Sequence, residues 1–187
     1  IGPNGAGKTT VFNMVSGVIH PSAGAIRLFG TDITGLSPDR VAHSGIARTF
    51  QNIRLFRNLT VLDNVLVGLH LRRQANVVEA LLALPRHSAE EAQMAATATQ
   101  LLEEIGLADV SHYRASALPY GQQRRLEIAR ALATKPAVLL LDEPAAGMNP
   151  AETEDLTHLI TDVRERFSLT ILLIEHEMKV VMGICER

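Results

Sequence analysis

Ile1-Gly2-Pro3-Asn4-Gly5-Ala6-Gly7-Lys8-Thr9-Thr10 is the stretch whose reading decides the fold. Gly2, Gly7, Lys8 and Thr9 fall on the pattern G-x-x-x-x-G-K-[ST] of a phosphate-binding loop. The glycines let the backbone turn sharply and approach an anion with no Cβ in the way. Successive N–H groups then line one concavity. A helix expected over residues 8–16 adds the partial positive charge of its N-terminus. In such a loop Lys8 reaches the β- and γ-phosphates of a nucleoside triphosphate, and the Thr9 hydroxyl holds Mg2+. The candidate nucleotide-binding residues are therefore Gly2, Pro3, Asn4, Gly5, Ala6, Gly7, Lys8, Thr9 and Thr10. A dinucleotide fingerprint fits less well: Gly5-x-Gly7 is present, but Thr10 stands where its third glycine belongs.

Outward from this loop, helix and strand signals alternate. A turn at 20–24 precedes a short strand at 25–29 and a loop at 30–37. Ser37 and Pro38 open a helix to about His43, Gly45 ends it, and a strand at 46–50 leads to Gln51. Thr60 with Asp63 makes a capping-box start, and Leu62, Val65, Leu66 and Leu69 form a stripe read as core packing. Pro85 breaks this segment. Ser88 with Glu91 begins another helix, which Gly106 stops. Residues 60–117 thus read as all-helical, inserted between two α/β portions. A helix at 121–134 follows. Val138-Leu139-Leu140-Leu141 is a continuous apolar run, the mark of a strand covered on both faces, and ends in Asp142-Glu143. Asn149-Pro150 starts the next helix. Residues 169–174 read as a second fully buried strand, ending in Glu175-His176. This alternation implies a mostly parallel sheet.

Ligands of open α/β sheets sit at the carboxyl ends of the strands. Gln51, the pair Asp142-Glu143 and His176 all fall at such ends. Singly, each has a bland reading: a solvated glutamine, an acidic turn, a satisfied core histidine. Their shared edge, with the phosphate loop at a fourth position, favours chemistry. Asp142 is placed to order Mg2+ through water, opposite Thr9. Glu143 is placed to polarise an attacking water. Phosphoryl transfer asks mainly for charge neutralisation and an in-line water. Lys8, Mg2+, Gln51, Glu143 and His176 would supply both.

The bulk properties agree. At 187 residues the chain can bury a proper core. Its net charge of −2 argues against a nucleic-acid surface built on bulk positive charge. A lone cysteine, Cys185, excludes an internal disulfide framework. No apolar run approaches the roughly 18 residues needed to span a bilayer. A phosphate loop needs a strand before it, and only Ile1 precedes Gly2, so the chain is expected to be a fragment lacking terminal strands.

The ordered set Gly2 to Thr10, Gln51, Leu118-Pro119-Tyr120-Gly121-Gln122, Leu139-Leu140-Leu141-Asp142-Glu143-Pro144 and His176 resembles the ATPase subunits of ABC transporters. These match Walker A, the Q-loop, the signature, Walker B and the switch histidine, over nearly the whole chain. The resemblance implies a P-loop NTPase fold: an ATPase core at 1–59 and 118–187, with a helical subdomain at 60–117. It implies Glu143, His176 and Gln51 as catalytic residues, Thr9, Gln51 and Asp142 as Mg2+ ligands, and ATP and Mg2+ as cofactors. It also implies a head-to-tail dimer, in which Pro119, Tyr120, Gly121 and Gln122 serve the partner's ATP. The family signature usually reads L-S-G-G-Q; here Pro119 replaces its serine and Tyr120 its first glycine. Asn149 replaces a common aspartate in the D-loop, and the adenine-stacking residue belongs to a stretch before Ile1. Within the family, Ala47-Arg48-Thr49-Phe50-Gln51, Tyr120-Gly121-Gln122-Gln123-Arg124-Arg125 and Asp142-Glu143-Pro144-Ala145-Ala146-Gly147-Met148-Asn149-Pro150 look like the ATP-binding subunit of bacterial branched-chain amino acid importers. That likeness implies membrane permease subunits as partners, contacted near residues 51–67, and a periplasmic binding protein acting indirectly. It implies a peripheral position on the cytoplasmic face of the inner membrane, and no nucleic acid. Urea importers, lipopolysaccharide exporters and soluble ABC ATPases are the rival readings.

Overall fold

The computed structural model describes residues 6–71 and 85–185, with side chains at 6–71 and 90–185. The chain divides into two units, residues 1–52 with 135–187, and residues 53–134. In the first unit, three parallel strands stand in the order β3 (Ile46–Arg48), β4 (Val138–Asp142) and β5 (Thr170–Ile174). Ile46 pairs with Val138, and Asp142 with Ile174. Helix α1 (Lys8–Val15) packs Phe12 into a cluster with Ile33, Val41, Ile46, Leu140 and Ile174. Leu139, Leu140 and Leu141 are fully buried, as their uninterrupted apolar run requires. Helix α2 (Pro38–His43) opens with Pro38 in its first turn and places Val41 in the same core. Helix α6 (Pro150–Arg166) is launched by Asn149, whose side chain accepts from the N–H groups of Ala151 and Glu152 while Glu152 reaches back to the Asn149 N–H. Its buried face carries Leu156, Leu159, Ile160 and Val163, and it packs against α7 (Met178–Ile184).

Three expectations need correction here. The strand expected at 25–29 is only β1 (Arg27–Leu28), paired antiparallel with β2 (Thr31–Asp32) inside the stretch read as loop. Phe29 (φ 47°) and Gly30 (φ 84°) join them, both left-handed, as a two-residue hairpin turn of type I′ demands. Phenylalanine is a poor signal for that turn, which hid the hairpin. Second, β5 is not buried on both faces. Ile171 and Leu173 are half-buried, whereas Thr170 and Leu172 are exposed, Leu172 by 43%. A period of two with one open face is what a strand covered on one face alone shows. Third, α4 (Pro85–Glu104) begins at Pro85 itself rather than at Ser88. A proline breaks a helix interior but suits its first turn, where no N–H bond is lost.

The second unit packs α3 (Val61–His70), α4 and α5 (Tyr120–Ala133) together. The division puts α5 with these helices, although the sequence reading assigned residues from 118 onward to the core. The Thr60 and Asp63 capping box forms as expected. Asn64 is fully buried and staples the preceding turn, its side chain bonding the Phe56 N–H and carbonyl and the Thr60 carbonyl. Within α5 an ion pair is buried outright: Arg124 donates to Glu127 at 2.6 Å, and Glu127 also accepts from the Arg54 N–H at 3.2 Å. Gly68 lets α3 lie directly on α5. A Cβ there would stand 2.5 Å from the Arg130 carbonyl oxygen and 2.8 Å from the Ala133 Cβ. Gly68→Ala is therefore expected to destabilise by about 1–3 kcal/mol through overpacking. Alanine's better helix propensity returns at most about 1 kcal/mol. A lowered urea midpoint with an unchanged m-value checks this.

Candidate active site

The site grows from the carboxyl ends of β3, β4 and β5 and the start of α1. Gly7 sits at the N-cap of α1 with φ 80°, a left-handed conformation that glycine adopts at no steric cost. No side chain caps this helix, and Thr9 and Thr10 in its first turn are exposed while Lys8 is half-buried. A first turn without a side-chain cap has N–H groups available to an anion. Of the nine candidate loop residues, Gly2, Pro3, Asn4 and Gly5 lie outside the described residues.

Glu143 follows β4 directly and lies between the other two strand-end groups. Its Oε2 accepts from Gln51 Nε2 at 2.8 Å, and its Oε1 is 3.0 Å from His176 Nε2. As a carboxylate Glu143 can only accept, so His176 then carries its proton on Nε2. Each oxygen keeps a second acceptor position, so a water can be taken up without breaking either bond. Glu143 has φ 46°, a left-handed backbone costing on the order of 1–3 kcal/mol for a residue with a Cβ. Its N–H donates to the Ile174 carbonyl at 2.8 Å, which continues the β4–β5 pairing and holds that conformation. The side chain is 21% exposed, sheltered yet within reach of solvent. The sequence expectation that Gln51, Glu143 and His176 meet at one sheet edge is thus met in the geometry.

Asp142, one residue earlier and the last of β4, is buried. Its Oδ2 accepts from Arg48 Nη2 at 2.8 Å, and both side chains are 6% exposed. The sequence places Arg48 in a short strand and in the importer-like stretch 47–51 but gives it no role of its own; a cation inside a strand that leads into a buried core is the available signal. Glu175 also carries a role the sequence reading did not give it. Its carboxylate accepts from the N–H groups of Ala145 (3.1 Å) and His176 (2.8 Å). It thereby ties the loop after β4 to the loop that presents His176. Its placement immediately after an apolar strand was the legible hint.

Mg2+ prefers hard oxygen ligands and shares them with substrate phosphates rather than sitting in an all-protein cage. No group of three or more His, Cys, Asp or Glu able to hold a metal occurs among the described residues. The donors on offer, the Thr9 hydroxyl and the Asp142 carboxylate, suit an ion held partly by phosphate. The residues present fit Mg2+ in that mode.

The segment 119–122 belongs to the second unit. Pro119 is the N-cap of α5 and offers no side-chain cap, so the helix opens one residue before the expected Gly121. Leu118 is buried, while Pro119 and Tyr120 are exposed. Gln123 Nε2 donates to the Leu118 carbonyl at 2.7 Å, and Arg124 donates to the Tyr120 hydroxyl at 3.3 Å. A solvent-facing, uncapped helix start is a second surface suited to anions.

Residues 1–146 match the family model described as ABC transporter. The chain is 48% identical over 186 residues to the high-affinity branched-chain amino acid transport ATP-binding protein BraF of Pseudomonas aeruginosa, covering all of this chain and 73% of that protein. It is 37% identical over 187 residues to the lipopolysaccharide export system ATP-binding protein LptB of Haemophilus influenzae, covering 71% of it. Among solved structures, the ADP conformation of an ATP-binding cassette of an ABC transporter superposes with a TM-score of 0.80 at 30% identity, over 98% of this chain and 71% of that one. Matched along its length and folded in the same way, the chain belongs to the ABC transporter family.

Proposed function

We propose that this chain is the ATP-binding and ATP-hydrolysing subunit of an importer for branched-chain amino acids. The observation that carries the catalytic part is the seating of Glu143 between Gln51 and His176 at the sheet edge. Supporting the substrate class is the identity of 48% to an importer subunit for these amino acids, against 37% to a lipopolysaccharide export subunit.

In this reading the triphosphate rests on the N–H groups at the start of α1, with Lys8 on the β- and γ-phosphates. Thr9 and Asp142 would hold Mg2+, which would supply charge neutralisation at the phosphate oxygens. Gln51 and Glu143 orient the attacking water, and Glu143 takes its proton. His176 Nε2–H fixes the Glu143 carboxylate and lies beside the charge that develops on the terminal phosphate. Pro119, Tyr120, Gly121 and Gln122 close on the nucleotide of a second ATPase subunit. Pro119 has no hydroxyl or N–H to donate, so the contact there falls to the N–H groups that follow it. No helix among the described residues is long and apolar enough to cross a membrane. The likeness to transport ATP-binding subunits supports a peripheral seat on the cytoplasmic side, against permease subunits that carry the solute.

Reconstitution tests the whole reading. The full-length protein, co-expressed with the paired permeases of a branched-chain importer, should co-purify with them. Its ATPase activity should rise when leucine-loaded periplasmic binding protein is added. Co-purification with a lipopolysaccharide export complex instead, or no response to the loaded binding protein, would overturn the substrate class. A narrower prediction concerns the switch position: His176→Ala should lower kcat by about 10²-fold, the loss typical of one aligned donor. Nucleotide affinity should stay unchanged. An equal loss of affinity would place His176 in ground-state binding.

A further inference from the structure

The reading of Lys8, Thr9 and Asp142 as the MgATP site leaves Arg48 unaccounted for. Its guanidinium bridges two elements. Nη2 donates to Asp142 Oδ2 at 2.8 Å at the end of β4. Nη1 donates to Asn13 Oδ1 at 2.7 Å and to Ser16 Oγ at 2.9 Å, both on or at the end of α1. Its Cζ lies over two aromatic rings, 5.6 Å from the Phe12 centroid and 5.0 Å from that of Phe50. The buried Nε has no hydrogen-bond partner among the described residues. The fork is thus aimed at Asp142 and α1 at the expense of its own third donor group. Asn13 stands four residues after Thr9, so both share one face of α1, one turn apart. One rigid side chain therefore sets the Asp142 carboxylate against the helix face that carries Thr9.

We propose that Arg48 is a positioning residue for the metal: it registers the Asp142 carboxylate against α1 so that Thr9 and Asp142 address the same Mg2+. This rests on the proposed MgATP site. A plain counter-ion would need only the contact with Asp142. The two contacts to α1 and the contacts with the Phe12 and Phe50 rings are what a geometric role requires. Lysine has three donors but is a point charge on a flexible stem, and lacks the planar fork that fixes the directions of those acceptors.

Mn2+ serves as the probe, followed by its EPR signal in the full-length protein saturated with a non-hydrolysable ATP analogue. In Arg48→Met, the Mn2+ dissociation constant should rise by about 10- to 100-fold, as when an outer-shell partner of a metal ligand is lost. Nucleotide affinity without metal should be unchanged. Arg48→Lys should fall between. The double variant Asn13→Ala with Ser16→Ala keeps the pair with Asp142 but loses the anchor on α1, and should also weaken Mn2+. Unchanged Mn2+ affinity in the double variant overturns the proposal, because charge compensation alone then suffices. Tighter Mn2+ binding in Arg48→Met also overturns it, since the arginine would then be competing with the metal. Where Arg48→Met does not fold, Arg48→Lys and the double variant decide by the same criteria. Absence of nucleotide-dependent Mn2+ binding in the wild type would defeat the MgATP site itself, a result distinct from the others.

Discussion

Replacing Glu143 by Gln in the full-length protein is expected to slow ATP hydrolysis by about 10²- to 10⁴-fold, the range a positioned general base contributes. MgATP binding should be intact. The substitution is isosteric, so the amide oxygen can still accept from Gln51 or His176, at 2.8 and 3.0 Å in the wild type. What the amide lacks is basicity: it cannot take the proton of the attacking water. The loss should therefore fall on kcat, with ATP affinity and the thermal midpoint little changed, and the ATP-bound dimer should accumulate. Single-turnover hydrolysis and gel filtration with ATP check both halves. Turnover near the wild-type rate would assign the base elsewhere.

The second large effect is on stability rather than rate. Asp142→Ala should cost about 3–5 kcal/mol, because it leaves Arg48 as an uncompensated buried charge. Arg48 is only 6% exposed, and among the described residues its other acceptors are the neutral oxygens of Asn13 and Ser16. Against a typical total stability of about 5–15 kcal/mol, such a loss can unfold the protein. Asp142→Asn should be far milder, since its amide oxygen still accepts from Arg48 Nη2. Chemical denaturation of the two variants side by side gives the comparison. Equal stability of the two would mean that the Arg48–Asp142 pair is held together by packing alone. Both variants should weaken Mg2+ binding, because an amide is a poorer ligand than a carboxylate and alanine supplies none.

The sequence told most where one pattern had one physical cause. Leu139, Leu140 and Leu141 read as a doubly covered strand and are fully buried. Asn149-Pro150 read as a helix start, and Thr60 with Asp63 as a capping box, and both form. Legibility failed where a pattern admits two causes. The apolar run of β5 resembles that of β4, yet β5 is covered on one face alone and Leu172 faces outward. Pro85 breaks a helix or begins one, depending on which turn it occupies. The hairpin at Phe29-Gly30 depends on a backbone conformation that phenylalanine rarely signals. At the site, the meeting of Gln51, Glu143 and His176 was legible because each ends a strand-like run. Arg48 and Glu175 were not, because their roles come from partners 94 and 30 residues away in the chain. No local spacing encodes such pairs.

A structure of the Glu143→Gln protein with MgATP tests the central claim most directly. The account predicts the triphosphate on the N-terminus of α1, with Lys8 Nζ on the β- and γ-phosphates and Mg2+ beside Thr9 and Asp142. The glutamine at 143 and His176 should flank the terminal phosphorus. A triphosphate bound elsewhere, or one whose terminal phosphorus lies beyond reach of both position 143 and His176, would contradict it.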